Sequence, residues 1–291
     1  MSVADETFEG LRPLLFSIAY RMLGSVMEAE DMVQEAYLRY ENAQPETIQS
    51  PKAFLCTVVT RLSLDQLKSA KSKREEYFGE WLPEPLLTEP TATPSAIIGE
   101  RENISMAFMV LLESLSPIER AVFLLREVFD YPYDEIARIV DKTEANCRQY
   151  YHRAKQYIVE RRPRFVPSPD EQQRLLQVFT IAISTGDLDL LNQVLAESVT
   201  MTGDGGGKAF AARHPVVGRA AVARFLMGLF RNPPADGRVE LRNFNGAPAL
   251  IIEVGSQIMG VMNFTMSGDQ IVGIDNVLNP DKLGHIKSAG Y

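Results

Sequence analysis

Side chains suited to contacting nucleic acid are concentrated between residues 143 and 164. Arginine and glutamine present paired hydrogen-bonding groups that match base edges, and lysine suits phosphate oxygens. Residues 143–164 carry six Lys and Arg residues against two Glu residues, a net charge of +4. The candidate DNA contacts are Glu144, Arg148, Gln149, His152, Arg153 and Lys155. Their composition favours a surface that reads DNA over one that carries out catalysis.

The segments around these residues predict a helix-turn-helix. Ser116-Pro117-Ile118-Glu119 has the form of a capping box with proline in the first turn, so a helix should begin there. Asp130-Tyr131-Pro132 should interrupt it, and a short helix over Tyr133–Val140 follows. Thr143 can cap the next helix, whose apolar residues recur every three or four positions. The second helix of such a motif enters the major groove. The pattern alone leaves open an ordinary helical bundle with a solvated basic face.

A second basic segment lies in the N-terminal part of the chain. Residues 61–74 hold five Lys and Arg residues against Asp65, again a net charge of +4. They fall on a long helix that should begin at Pro51 and end near residue 76. The candidate backbone contacts are Lys52, Arg61, Lys68, Lys71 and Arg74. Since the whole chain has a net charge of −8, DNA affinity should be confined to the two basic segments.

Metal and redox chemistry are not predicted. The two cysteines, Cys56 and Cys147, lie in apolar helical patterns, which indicates core residues in a reducing compartment. The three histidines are far apart in sequence and no Cys/His spacing fits a metal site, so neither a metal nor a cofactor is expected. The sequence shows neither a leader pattern nor an apolar run of membrane-spanning length, and a cytoplasmic location is therefore expected.

Hydrophobic patterning predicts several domains: two all-α domains, the second with the helix-turn-helix, followed by an α+β cone. The helical domains should cover residues 5–78 and 95–165. A linker over 79–94, rich in proline and holding the only tryptophan, should join them. The cone should cover residues 170–285.

The predicted cone has three helices followed by an antiparallel sheet. The helices are expected over Asp170–Ser184, Asp187–Ala196 and Gly218–Phe230. Hairpin turns are expected at Asn245-Gly246 and Ser267-Gly268-Asp269. The expected strands are Val239–Phe244, Ala249–Val254, Gln257–Met266 and Ile271–Leu278.

Three groups in the cone could perform acid–base chemistry. Asp204, His214 and Asp275 are the candidates, and a carboxylate–histidine pair in a cup is a known arrangement for proton transfer. Nothing in the sequence indicates that they converge. We favour the interpretation in which they are turn and strand-end residues, and no catalytic residue is predicted.

Five segments together resemble one protein family, the extracytoplasmic-function sigma factors of bacterial RNA polymerase. Ala29–Tyr37 looks like the polymerase-binding helix of that family, and Ser116–Ile158 looks like its domain for the upstream promoter element. The WLPEP of Trp81–Pro85, the DGGGK of Asp204–Lys208 and the NPDKL of Asn279–Leu283 match three motifs of the SigJ-type branch. The C-terminal domain of that branch is SnoaL-like.

The resemblance implies an alternative sigma factor that is not an enzyme. It would bind core RNA polymerase and direct promoter-specific initiation, with the SnoaL-like domain regulating it in cis. The residues implied to bind polymerase are Asp31, Gln34, Glu35 and Leu38. The helix from Pro51 would hold the downstream promoter element, and the helix after Thr143 would read the upstream element. No membrane partner is implied, and a small ligand in the cone is left open.

Two other classes of function remain as alternatives. One is a DNA-binding regulator that works without polymerase, which would not need the Asp31–Leu38 surface. The other is a ligand-binding or enzymatic cone fused to a DNA-binding module, which would need convergent acid–base groups in a deep cup.

The glycine-rich motif suggests a regulatory contact. Consecutive glycines let the backbone approach another surface closely. We therefore expect the Asp204–Lys208 loop to contact the linker at Trp81–Pro85 or the long helix of the first domain. The residues expected in this contact are Trp81, Pro83, Asp204, Gly205, Gly206, Gly207, Lys208, Asn279, Pro280, Asp281 and Lys282.

Overall fold

The computed structural model describes residues 3–44, 48–75, 77–88, 104–163 and 165–286, with the side chains of residues 3, 4 and 70–75 left out. Its contacts divide the chain into two compact units. The helical unit comprises the described residues of 1–76, Ile104 and 108–162, and the C-terminal unit comprises those of 77–90, 105–107 and 163–291. The predicted fold class is confirmed: helical regions are followed by a domain that mixes helices and a sheet.

Three helices form the N-terminal part of the helical unit. Gly24, at a φ of 69°, ends the first helix, and the Ser25 side chain caps the second by accepting from the Glu28 N–H at 3.2 Å. Apolar side chains at helical spacing pack between the helices and are fully or almost fully buried, among them Leu15, Val33 and Leu55. The helices are α1 (Val3–Leu23), α2 (Val26–Asn42) and α3 (Pro51–Glu75).

The second part of the helical unit contains the predicted helix-turn-helix. The Ser116–Glu119 capping box is present at the start of α5. A short π-helical turn over Leu124–Val128 continues that helix, and the chain then reverses through Asp130, at a φ of 54°. Asp141, also at 54°, ends α6 and allows the turn into α7. The helices are α4 (Met106–Glu113), α5 (Pro117–Phe123), α6 (Tyr133–Val140) and α7 (Glu144–Arg161).

Arginine side chains satisfy carbonyls at helix ends in the helical unit. Arg120 is buried and donates to the Met22 carbonyl at the end of α1, 2.6 Å away. Arg61 on α3 donates to the Arg138 and Ile139 carbonyls at the end of α6, at 2.8 and 2.9 Å. Cationic donors at C-terminal carbonyls are favourable both as hydrogen bonds and toward the helix dipole.

The C-terminal unit packs helices against a six-stranded sheet of order β2-β1-β6-β5-β4-β3. Residues from α8, α10 and the facing strands share one core, including Phe179, Leu226 and Ile274. The helices are α8 (Pro169–Thr185), α9 (Leu188–Val194) and α10 (Arg219–Leu229). The strands are β1 (Leu195–Asp204), β2 (Val216–Val217), β3 (Gly237–Phe244), β4 (Ala247–Val254), β5 (Gln257–Ser267) and β6 (Gln270–Val277).

The sheet differs from the sequence prediction in two strands and one pairing. The helix predicted through Ala196 ends at Val194, and the chain continues directly as β1, which the prediction missed together with β2. β1 pairs parallel with β6, so the sheet is mixed rather than antiparallel. β1 is hard to recognise in sequence because small and polar residues interrupt its alternation.

The connection between α3 and α4, called the linker from here on, leaves the helical unit before residue 77, two residues earlier than predicted, and its first described part belongs to the C-terminal unit. Residues 77–88 are extended, and Leu87 forms a β-bridge with Phe244 at the end of β3. Across the described ranges, no helix combines the length and the apolar character needed to span a bilayer.

Candidate functional site

The second helix of the helix-turn-helix has one packed face and one exposed polar face. The Thr143 side chain caps α7 by accepting from the Asn146 N–H at 3.2 Å. Cys147, Ala154 and Ile158 are buried at helical spacing and hold the helix against the unit. The predicted contact residues Arg148, Gln149, His152 and Arg153 are exposed. Together with Tyr133 and Tyr151 they line one open groove.

Each basic side chain predicted on α7 is paired with a carboxylate. Arg148 donates to Glu144 at 3.0 Å, so Glu144 supports an arginine. Arg153 Nε donates to Glu119 at 2.9 Å, and Lys155 Nζ lies 3.2 Å from Glu127. The cationic groups of this surface thus each lie next to a carboxylate.

Glu119 and Glu127 are the members of this surface that the sequence analysis missed. Partial burial opposes ionisation of both groups. Hydrogen bonds from Ser116 and Arg153 outweigh that effect at Glu119, and those from Tyr151 and Lys155 do so at Glu127, so the pKa of each carboxyl is lowered. The sequence explained Glu119 as a capping residue. Its bond to Arg153 spans 34 positions, so no local pattern indicated it.

The basic segment of α3 is less uniform than its sequence suggests. Lys52 is exposed, Lys68 pairs with Asp65 at 2.9 Å, and Arg61 is bonded to the end of α6. The side chains of Lys71 and Arg74 lie outside the described residues. A continuous basic track on this helix stays a prediction.

The predicted polymerase-binding residues share one side of α2. Asp31, Gln34 and Leu38 are exposed, at positions three and four apart. Glu35 beside them is partly exposed and pairs with Arg39 at 2.8 Å. Leu38 has 46% of its surface exposed, which makes it an apolar contact within a polar surface.

The three motifs singled out in sequence meet around Asp204, within the C-terminal unit. One carboxylate oxygen, Oδ2, accepts from the Leu82 N–H at 2.8 Å and from Lys282 Nζ at 2.7 Å. The other, Oδ1, accepts from the Tyr77 hydroxyl at 2.6 Å. Asn279 Nδ2 donates to that hydroxyl at 2.8 Å. We call these five residues the Asp204 cluster.

The charged groups of the Asp204 cluster are buried, so the interactions between them are stronger than they would be in water. Asp204 is 0% and Lys282 6% exposed, and Lys282 also donates to the Leu82 carbonyl. The Lys282 ammonium lies 3.9 Å from the centroid of the Trp81 ring, within cation–π range. Burial, followed by the Asp204 hydrogen bond, raises the pKa of Tyr77, so this hydroxyl remains a donor. An ion pair that is buried needs such additional bonds to be favourable.

Close packing requires two of the three glycines after Asp204, Gly205 and Gly206. A Cβ at Gly206 would overlap Asn279 Nδ2 and lie 2.9 Å from the Tyr77 hydroxyl, and its φ of +57° is unfavourable for other residues. A Cβ at Gly205 would overlap the Ala209 carbonyl, and one at Gly207 would lie 3.4 Å from Phe78. Lys208 pairs with Asp281 at 2.5 Å on the surface.

The rest of the described linker is also bound by the C-terminal unit. Leu86 exchanges hydrogen bonds with Asn245, and the Thr88 N–H donates to the Asn243 carbonyl at 2.9 Å. His285 contacts the Pro85 carbonyl at 2.8 Å, and Pro83 is buried. Pro280 is exposed beside Asn279. The linker therefore has ordered partners from residue 77 to residue 88.

The candidate acid–base groups occupy different surroundings. Asp204 is hydrogen-bonded to the linker, and His214 is exposed. Burial raises the pKa of Asp275 to about 7. A cavity lined by Phe210, Phe225 and Asn276 has about 10 Å³ of accessible volume, which suits about one water molecule. Among the described residues, no group of three or more His, Cys, Asp or Glu is placed to hold a metal.

Comparison with known proteins identifies relatives over almost the entire chain. Residues 7–73 match the family model for Sigma-70 region 2, and residues 105–158 match that for Sigma-70, region 4. The ECF RNA polymerase sigma factor SigJ of Mycobacterium tuberculosis is 37% identical, over 95% of this chain and 92% of its own length. A probable sigma factor SigI from the same species is 30% identical, over 95% and 93%. The crystal structure of SigJ superposes with a TM-score of 0.78, covering 96% of this chain and 98% of SigJ at 33% identity.

Proposed function

The chain belongs to the ECF sigma factors of RNA polymerase, and we propose that its C-terminal unit controls initiation in cis by binding the linker between its two DNA-reading regions. A sigma factor binds core RNA polymerase and directs it to specific promoters, and this is the activity of the chain. We assign that activity to the cytoplasm, where promoter DNA and polymerase are found.

Different helices supply the surfaces that would bind polymerase and the surfaces that would bind DNA. On α2, Asp31, Gln34 and Leu38 offer polymerase a mixed polar and apolar surface, with Glu35 beside them. On α7, the groove lined by Arg148, Gln149, His152 and Arg153 offers the side-chain types that contact bases and phosphates in a major groove. The α3 side of the unit would contact the downstream element.

The observation that carries the regulatory proposal is the Asp204 cluster. The linker connects α3 to α4, so its conformation limits how far apart the two DNA-reading regions can lie. Leu82 and Tyr77 of the linker are bonded to Asp204, which attaches this part of the connection to the C-terminal unit. Retention or release of the linker would therefore change the promoter spacing that polymerase can use.

Run-off transcription with core RNA polymerase and the full chain tests the proposal. The template is a promoter that the wild-type holoenzyme selects from a randomised pool. Gly206→Ala is compared with Gly268→Ala, because both glycines have a φ near +60° but only a Cβ at Gly206 meets the Asp204 cluster. We expect Gly268→Ala to initiate like wild type and Gly206→Ala to change the transcript yield, with the direction of the change giving the sense of control.

Three outcomes would contradict the proposal in different ways. Unchanged yield in Gly206→Ala, with fluorescence showing that Trp81 has left its site, would remove the regulatory role of the cluster. A folded chain that neither binds core polymerase nor initiates would favour a regulator that works without polymerase. Turnover of a small substrate would favour the fused-enzyme alternative.

A further inference from the structure

Arg153 and Arg148, both on α7, use different guanidinium nitrogens to bind their neighbouring carboxylates. A guanidinium offers donors in a fixed fork, and it can meet a base edge through its two terminal nitrogens or side-on through Nε. Glu119 accepts from Arg153 Nε at 2.9 Å, which occupies the side-on edge. In a guanidinium the fork of the two terminal nitrogens lies on a different edge from the Nε–H that makes this bond. In Arg148, by contrast, the terminal Nη2 is bonded to Glu144 at 3.0 Å.

Glu119 is itself held in one position. Its Oε2 accepts from the Ser116 hydroxyl at 2.6 Å and from the Ser116 N–H at 3.3 Å, leaving Oε1 for Arg153. The two side chains lie in different environments, since Glu119 is 18% and Arg153 59% exposed. The Tyr150 ring, 5.1 Å from the arginine Cζ, flanks the guanidinium. A fixed, mostly buried carboxylate thus supports an exposed arginine at the groove.

This geometry suits one type of base contact. An arginine whose terminal nitrogens point outward can bond to O6 and N7 of guanine together, the commonest specific contact in the major groove. A supporting carboxylate reduces the number of side-chain conformations that must be lost on binding. We propose that Glu119 is a positioning residue for specificity: it holds Arg153 for end-on reading of a guanine in the upstream promoter element.

The inference rests on the proposed function and is tested in the same holoenzyme. Full-length variants with core RNA polymerase transcribe templates randomised over the upstream element, and base preference is measured at each position. We expect Arg153→Ala to lower guanine preference at one position by about 5- to 150-fold, the range that a bidentate arginine–guanine pair supports. Glu119→Ala should lower the preference at that same position by about fivefold or more.

A second capping box in the chain provides a matched control for the helix cap that Glu119→Ala removes. Ser168-Pro169-Asp170-Glu171 forms an equivalent capping box, in which the Glu171 carboxylate bonds to the Ser168 hydroxyl at 2.6 Å. Glu171→Ala therefore removes an equivalent cap, at the start of α8, and should leave base preference unchanged. Glu119→Gln keeps an acceptor for Nε and fits a capping box, so it should retain the preference. Glu119→Asp keeps the charge with a shorter reach and should lose it, which provides a second test if Glu119→Ala does not fold.

The outcomes separate this inference from the function on which it rests. Wild-type holoenzyme that fails to initiate would overturn the proposed function. Initiation in which Glu119→Ala and Glu119→Asp keep full guanine preference at the position that depends on Arg153 would overturn the positioning role alone. So would an Arg153→Ala variant that alters no base preference. If Glu119→Ala weakened binding to every template equally, without a change in base preference, the role of Glu119 would be structural only.

Discussion

At the scale of single residues, the C-terminal unit depends on a charge pair that would be unfavourable without its surroundings. Taking a carboxylate and an ammonium out of water is costly, and the pair is stable only when both groups have further hydrogen bonds. Asp204 accepts such bonds from the Leu82 N–H and the Tyr77 hydroxyl, and Lys282 donates one to the Leu82 carbonyl. The same bonds attach the linker, so stability of the unit and attachment of the linker share one set of residues.

Removing the cation from this pair should weaken the C-terminal unit strongly. Lys282→Met leaves the Asp204 carboxylate buried without a counter-charge, which costs about 3–5 kcal/mol. Lys208→Met breaks an exposed pair with Asp281 and should cost about 1 kcal/mol or less. Urea unfolding followed by Trp81 fluorescence measures both, because the only tryptophan lies against Lys282. Equal, small effects of the two substitutions would show that the buried pair does not stabilise the unit.

At the scale of elements, the helices were predictable from local patterns, whereas β1 and the individual hydrogen bonds of the linker were not. A capping box indicated α5, a threonine cap indicated α7 and apolar spacing indicated α8, because those determinants lie within a few residues of each other. β1 was missed because its pairing partner β6 lies some 70 residues further along. The Tyr77–Asp204 bond joins residues 127 positions apart, and only the three glycines indicated a close approach there. Long-range pairing has no local pattern from which to predict it.

Helix α6 should depend on an arginine from another helix. Arg61→Ala removes two hydrogen bonds from a charged donor to the last carbonyls of α6, and we expect the helical unit to lose about 1–2 kcal/mol. Lys68→Ala, on the same helix, breaks only an exposed pair with Asp65 and should have almost no effect. Urea unfolding followed by far-ultraviolet circular dichroism measures the difference. If both variants unfold at the wild-type midpoint, the Arg61 bonds do not contribute.

At the scale of the whole molecule, sequence order and structural units do not coincide. The linker follows α3 along the chain, yet its residues 77–88 are part of the C-terminal unit, which otherwise comprises residues 105–107 and the described residues from 163 onward. The chain therefore passes from the helical unit to the C-terminal unit and back before its second DNA-reading region. The Asp204 cluster therefore holds the chain at a point between the two DNA-reading regions.

The two units should be distinguishable in unfolding. Each has its own buried core, so we expect two transitions, one reported by Trp81 for the C-terminal unit and one dominated by helix content for the helical unit. Lys282→Met should move the fluorescence transition to lower urea and leave the other in place, because the pair that it breaks lies in the C-terminal unit. Arg61→Ala should do the reverse. If either substitution shifted both transitions equally, the chain would unfold as one cooperative body, and release of the linker could not occur apart from global unfolding.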